Sequence, residues 1–209
     1  MSKPSGFTAP LQERSARTLR RMVEAAREAL ETTSFDALTL TDLTRRAGVT
    51  VGAFYQRFPS KDALLEYLEQ EAYGEIRASS AALFARPTLE PAPTTRELLR
   101  AYVEGMAALY QEHRGILREL VLRSRSNPGR QKRRMDMTRD VVEGAVEWIL
   151  AQGGPVDHPD PRKALGVAIL FTTAALRDAV LFGETLTDGL AVNDLVDELV
   201  RAAEVYLGL

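Results

Sequence analysis

The side chains with the most chemical content in this 209-residue chain lie between positions 39 and 62, TLTDLTRRAGVTVGAFYQRFPSKD. Their types and spacing suit non-covalent recognition of a polyanion rather than bond-making. Tyr55, Arg57 and Lys61 are placed as phosphate contacts, and Lys61 also sits at a helix start, whose amides favour an anion. Thr41, Arg45 and Arg46 can hold a nucleic-acid backbone from the preceding helix. Between these groups, Thr50, Val51, Gly52, Ala53 and Gln56 are short enough for close approach to base edges. Val51 and Ala53 suit thymine methyls, and Gln56 suits adenine. Phosphate contacts fix register without specifying sequence, so specificity must lean on methyl contacts, DNA shape and half-site spacing.

Short helices have to present these groups. Thr39 is an N-cap with Asp42 three residues on, Leu40 and Leu43 point inward, and Gly48 closes the first helix. Thr50 caps the second, whose buried side carries Phe54 and Phe58. Pro59 ends it, and Ser60 caps a third helix that reaches about Phe84 with Leu64, Leu65, Leu68 and Ile76 on one side. Upstream, Leu19, Met22, Val23, Ala26 and Leu30 mark one face of a helix over 14–31. Helices this short are not stable alone, so the pair makes sense as a probe held out from a scaffold. In a helix-turn-helix the second helix enters the DNA major groove and the first crosses the backbone.

The segment resembles the DNA-binding domain of the tetracycline-repressor (TetR) family of bacterial regulators. The resembling residues are the Thr39 cap, Asp42-Leu43, Ala47-Gly48-Val49, Gly52, Phe54-Tyr55, Phe58 and Ser60-Lys61-Asp62 followed by Leu64. Three positions depart from the family's habit. Ser34 stands before Phe35 where glycine is frequent, so the turn needs another cap; Thr50 replaces the usual serine; Arg57 stands where histidine is common. The resemblance covers about residues 14–66.

Beyond it, β-branched alternation is scarce and helical periodicity is nearly continuous, which predicts helices near 95–112, 114–124, 130–152, 160–183 and 191–207. The breaks are the Pro-rich loop 86–95, SNPG (126–129), GGPVDHPDP (153–161) and ETLTDG (184–189). The expected fold is all-α: an N-terminal three-helix helix-turn-helix domain (14–60) after a disordered arm (1–13), on a larger helical domain (61–209) for effector binding and dimerisation. Residues 163–183 carry one stripe of Leu165, Ile169, Thr172, Leu176 and Val180 and a small-residue stripe of Ala168, Ala175 and Ala179. With 191–207 they either close the monomer core or pair with their symmetry mates. The resemblance implies the pairing, a homodimer on double-stranded DNA. It also implies a small-molecule effector enclosed by helices near 95–152, for which Met106, Tyr110, Leu117, Arg118, Trp148, Phe171 and Arg177 are candidates. A buried Arg118 or Arg177 would point to an anionic effector.

Charge supports a basic reading head. Residues 1–60 hold nine Lys/Arg and six Asp/Glu, a net of +3, against −5 for the remainder. The run GRQKRR (129–134) reads as a solvated helix start balanced by Asp136 and Asp140. With no cysteine, thiol chemistry and Cys-based metal sites are excluded. Two histidines, His113 and His158, without carboxylate spacing argue against a metal, and no nucleophile elbow is present, so no enzyme and no cofactor is expected. No uninterrupted apolar run reaches the roughly 18 residues of a membrane span, and the first residues carry no secretion signal, so a cytoplasmic protein is expected. An all-α carrier with a purely structural N-terminal unit is the alternative reading.

Overall fold

The computed structural model describes residues 13–85, 92–183 and 190–209, and among these the chain is helical with no strand. The elements are α1 (Glu13–Thr32), α2 (Leu40–Ala47), α3 (Val51–Tyr55), α4 (Lys61–Phe84), α5 (Thr95–Glu112), α6 (Arg114–Ser124), α7 (Pro128–Gln152), α8 (Pro161–Phe182) and α9 (Val192–Leu207). The expected arm up to residue 12, most of the Pro-rich loop and the 184–189 break lie outside the described residues, and Glu13, expected in the arm, begins α1.

The sequence's punctuation sets the helix ends. Thr94 and Glu97 form a reciprocal capping box that starts α5. Asn127 and Asp160 cap α7 and α8, each followed by proline at the first helical position, where a missing N–H costs nothing.

The chain forms two compact units. One runs to Gly74 and takes back Gly115–Ser126; the other holds Glu75–Arg114 and Asn127–Leu209. Where the sequence suggests a break at 60/61, the first unit also takes in the first part of α4 and nearly all of α6. The Gly115 amide donates to the Glu31 carboxylate at 2.9 Å, and Arg118 Nη2 donates to the Leu30 carbonyl at 2.9 Å. A Cβ at Gly115 would stand 2.6 Å from the Leu30 backbone, so only glycine permits this approach. Leu30, Phe35, Leu43, Phe54, Phe58, Leu64, Leu65 and Leu68 are fully buried and form the core of the first unit.

In the second unit α5 packs on α7, α8 and α9, and α8 packs on α7 and α9. The stripe Leu165, Ile169, Thr172, Leu176 and Val180 is buried there. The outward side of α8 carries Val167 and Leu170, both exposed, with half-buried Phe171 and Ala174 beside them. Helix α8 is also long and apolar enough, by length and composition, to cross a membrane. Counting uninterrupted apolar residues missed it, because Thr172-Thr173 and Arg177-Asp178 break the run while the mean hydropathy of the helix stays high. Its core-facing stripe shows the ordinary use of such a helix, burial in a protein interior.

Candidate functional site

In the first unit, caps and core fix α2 and α3. Thr39 Oγ1 accepts from the Asp42 amide at 3.0 Å and donates to the Asp42 carboxylate at 2.7 Å. That hydroxyl, followed by the Arg45 guanidinium at 2.9 Å, holds the Asp42 carboxyl below its usual range. Thr44 is buried and returns its hydroxyl to the Leu40 carbonyl at 2.9 Å. Gly48 ends α2 in the left-handed region with φ of +57°. Arg21 on α1 donates to the Gly48 carbonyl at 3.0 Å and pins the turn between the two helices. Thr50 starts α3 by accepting from the Ala53 amide at 3.1 Å. Helix α3 is five residues long, and hydrogen bonds to the Phe54 carbonyl carry its turn on through Phe58.

Phe54 and Phe58 are fully buried, with ring centroids 5.6 Å apart. They orient α3 so that Thr50, Val51, Gly52, Tyr55 and Gln56 face outward, with Ala53 and Arg57 half-buried. Tyr55 is 56% exposed and meets Phe54 edge-on. Thr41, Arg45 and Arg46 are exposed on α2. A Cβ at Gly52 would meet nothing nearer than Thr50 Oγ1 at 3.8 Å, so the fold does not require glycine there.

Lys61, expected on phosphate, is engaged within the protein. Its ammonium donates to the carbonyls of Phe35 at 2.7 Å, Leu38 at 2.8 Å and Asp36 at 3.4 Å, and it lies 4.6 Å from the Phe35 ring centre. It supplies the cap that the turn beginning at Ser34 needs in the absence of the frequent glycine. Arg21 and Leu38 were missed by the sequence reading. Leu38 is buried, whereas Leu40, expected inward, is only half-buried.

In the second unit a small recess of about 30 Å³ is lined by Ile76, Tyr102, Met106, Tyr110, Met137, Thr138, Val141, Val142 and Thr173. A groove of about 590 Å³ between the second half of α4 and α5 shares Tyr102 and Met106 with it. Of the seven pocket candidates, Met106 and Tyr110 line the recess. Leu117 and Arg118 lie on α6 in the other unit, where Arg118 is held by the Leu30 carbonyl. Trp148 packs on Phe84, with centroids 5.6 Å apart, and Phe171 meets Tyr206 edge-on at 6.2 Å. Arg177 pairs with Asp178 at 2.8 Å. The signal overlooked in the sequence was the i, i+4, i+8 spacing of Tyr102, Met106 and Tyr110, one face of α5. Among the described residues no group of three or more His, Asp or Glu gathers as a metal site.

Residues 22–68 match the family model described as bacterial regulatory proteins, tetR family. No protein of curated function matches the sequence. Among solved structures, a bacterial regulatory protein in the tetR family from Rhodococcus RHA1 superposes with a TM-score of 0.68 at 18% identity, covering 91% of this chain and 96% of that one. The TetR family transcriptional regulator PfmR from Thermus thermophilus gives 0.63 at 18% identity, covering 90% and 97%. Superantigen PfiT gives 0.62 at 19% identity, covering 93% and 97%. At these identities the likeness establishes the all-α fold, and the matched segment locates the helix-turn-helix within it.

Proposed function

We propose that this chain, whose residues 22–68 match the tetR family model, is a TetR-family regulator: a cytoplasmic, non-enzymatic, homodimeric repressor that a small-molecule effector releases from a palindromic operator. The observation that carries the reading is α3 itself. A helix of five residues, anchored by two buried phenylalanines, turns small and apolar groups outward beside exposed arginines. Gly52 sharpens it. Alanine would fit without a clash and would be the better helix former by up to about 1 kcal/mol, so glycine's smallness serves something outside the chain. A DNA groove meets that description.

In this mechanism Val51, Gly52, Ala53 and Gln56 meet base edges. Thr50, Tyr55 and Arg57 hold phosphate from α3 and the turn after it, while Thr41 and Arg45 do so from α2. Two such heads, about 34–36 Å apart, occupy successive major grooves. The exposed apolar side of α8 with Val205, Tyr206 and Leu209 at the end of α9 is the face for the second copy. Helix α4 runs from the reading unit into the unit that holds the recess, so an occupant of the recess can bias the helix. The effector shifts the equilibrium only by its differential affinity for the two arrangements.

The test is DNA retardation by the purified protein, using fragments flanking its own gene, with Gly52→Leu alongside. We expect specific retardation by the native protein. We also expect at least tenfold weaker binding by the variant, about 1.4 kcal/mol, with its melting temperature unchanged. No specific retardation at any salt concentration would favour the carrier reading instead.

A further inference from the structure

Resting on the effector-responsive reading, we propose that the effector is an uncharged, largely apolar molecule that sets a hydrogen-bond-accepting oxygen on the Tyr110 hydroxyl. Its apolar body would pass between Tyr102 and Met106 into the groove between α4 and α5.

Tyr110 supplies the first observation. It is only 7% exposed, it lines the recess, and its hydroxyl has no hydrogen-bond partner among the described residues. The side chain is buried while its hydroxyl stays accessible through the recess, where a ligand oxygen can accept from it. Its neighbour Tyr102 is already engaged, 3.2 Å from Thr173 Oγ1. Burial pushes both phenols up, Tyr102 to about 12, so both remain protonated at neutral pH and Tyr110 is a donor.

Charge supplies the second. No carboxylate, lysine, arginine or histidine lines the recess; its polar side chains are four hydroxyls, from Tyr102, Tyr110, Thr138 and Thr173. Arg177, whose burial would have favoured an anion, is already paired with Asp178, and Arg118 is held by a carbonyl in the other unit. The groove carries one charged residue, the carboxylate Glu104. Arg177 and Arg134 act on the Tyr110 phenol from outside the lining, the first offset by Asp178, so an anion placed here would lose its hydration without a cation in direct contact, which is the expensive case.

Size supplies the third. The recess alone has about the volume of one water molecule, roughly 30 Å³. The groove falls in the range of about 300–1,000 Å³ that suits small molecules. Met106, common to both, is unbranched and can move aside at little cost, so the two spaces join without backbone change.

Three probes of one shape test this on the full chain by calorimetry: 2-acetylnaphthalene, a neutral ketone; 2-naphthoate, its anionic counterpart; and 2-ethylnaphthalene, which lacks the oxygen. We expect the ketone to bind at least tenfold more tightly than the naphthoate. Tyr110→Phe should weaken the ketone about five- to tenfold, the worth of one hydrogen bond, and leave the hydrocarbon unchanged. Equal or tighter binding of naphthoate overturns the uncharged class. Equal losses for ketone and hydrocarbon overturn the oxygen's placement, and no binding by any probe overturns the site. Should Tyr110→Phe fail to fold, Met106→Trp, which fills the passage, must abolish ketone binding or the route is wrong. The regulator reading is judged separately by DNA retardation without probe. A ketone that binds as described but leaves operator affinity unchanged removes effector response while the ligand class stands.

Discussion

A lysine ammonium has three N–H donors, and at Lys61 three carbonyls receive them, those of Phe35, Asp36 and Leu38. The residue therefore ties the start of α4 to the turn between α1 and α2, across more than twenty positions of sequence. Lys61→Met keeps the aliphatic stem and removes the ammonium, leaving partly buried carbonyls without a donor. Charged hydrogen bonds are worth about 1.5–3 kcal/mol, so the first unit should melt several degrees lower. The slope of log affinity against log salt should not change, since no phosphate contact is lost. A slope lower by about 0.9 would instead return Lys61 to the DNA. The sequence pointed to phosphate because a lysine at a helix start beside a recognition helix has that chemistry available. The competing claim of the Ser34 turn, which lacks the frequent glycine, depends on a through-space approach that spacing does not reveal.

At the scale of elements, local chemistry was legible and allegiance was not. Thr39, Thr50, Asn127 and Asp160 each accept from a first-turn amide, and such caps place helix starts to within a residue or two. That α6 packs with the N-terminal helices turns on one atom. Gly115 lies so close to the Leu30 backbone that a methyl would sit at 2.6 Å, against main chain that has no free torsion to yield. For the same reason Leu117 and Arg118, plausible in a pocket by type and position, are engaged elsewhere. Gly115→Ala should destabilise the first unit by about 1–3 kcal/mol or more through overpacking. Gly166→Ala on α8 meets nothing within 4 Å and should be neutral or stabilising by up to about 1 kcal/mol. Thermal melts of the two variants compare them directly, and a Gly115→Ala protein as stable as the native one would mean that α6 does not approach α1 this closely.

For the whole molecule, the apolar side of α8 that points outward is not the stripe a periodic reading selects. The regular run Leu165, Ile169, Thr172, Leu176 and Val180 serves the core. The outward side holds Leu170, 55% exposed, and the end of α9 adds Val205, 80% exposed. A monomer gains nothing from large apolar groups in water, whereas a two-fold partner laying the same face against it removes both copies from solvent. The dimer proposal thus has a consequence that separates it from a solvated surface. Leu170→Glu should change the stability of an isolated subunit by no more than about 0.5 kcal/mol, as exposed substitutions do. In a dimer it would bury an unpaired carboxylate in each copy, at about 3–5 kcal/mol, which weakens dimerisation by a factor on the order of a hundred or more. Sedimentation equilibrium measures that factor. Operator binding should fall with it, because a monomer holds one half-site and loses the gain from two linked heads. A native protein that sediments as a monomer at micromolar concentration, or a Leu170→Glu variant that dimerises undiminished, would assign this face to some other partner and leave the palindromic operator without its structural basis.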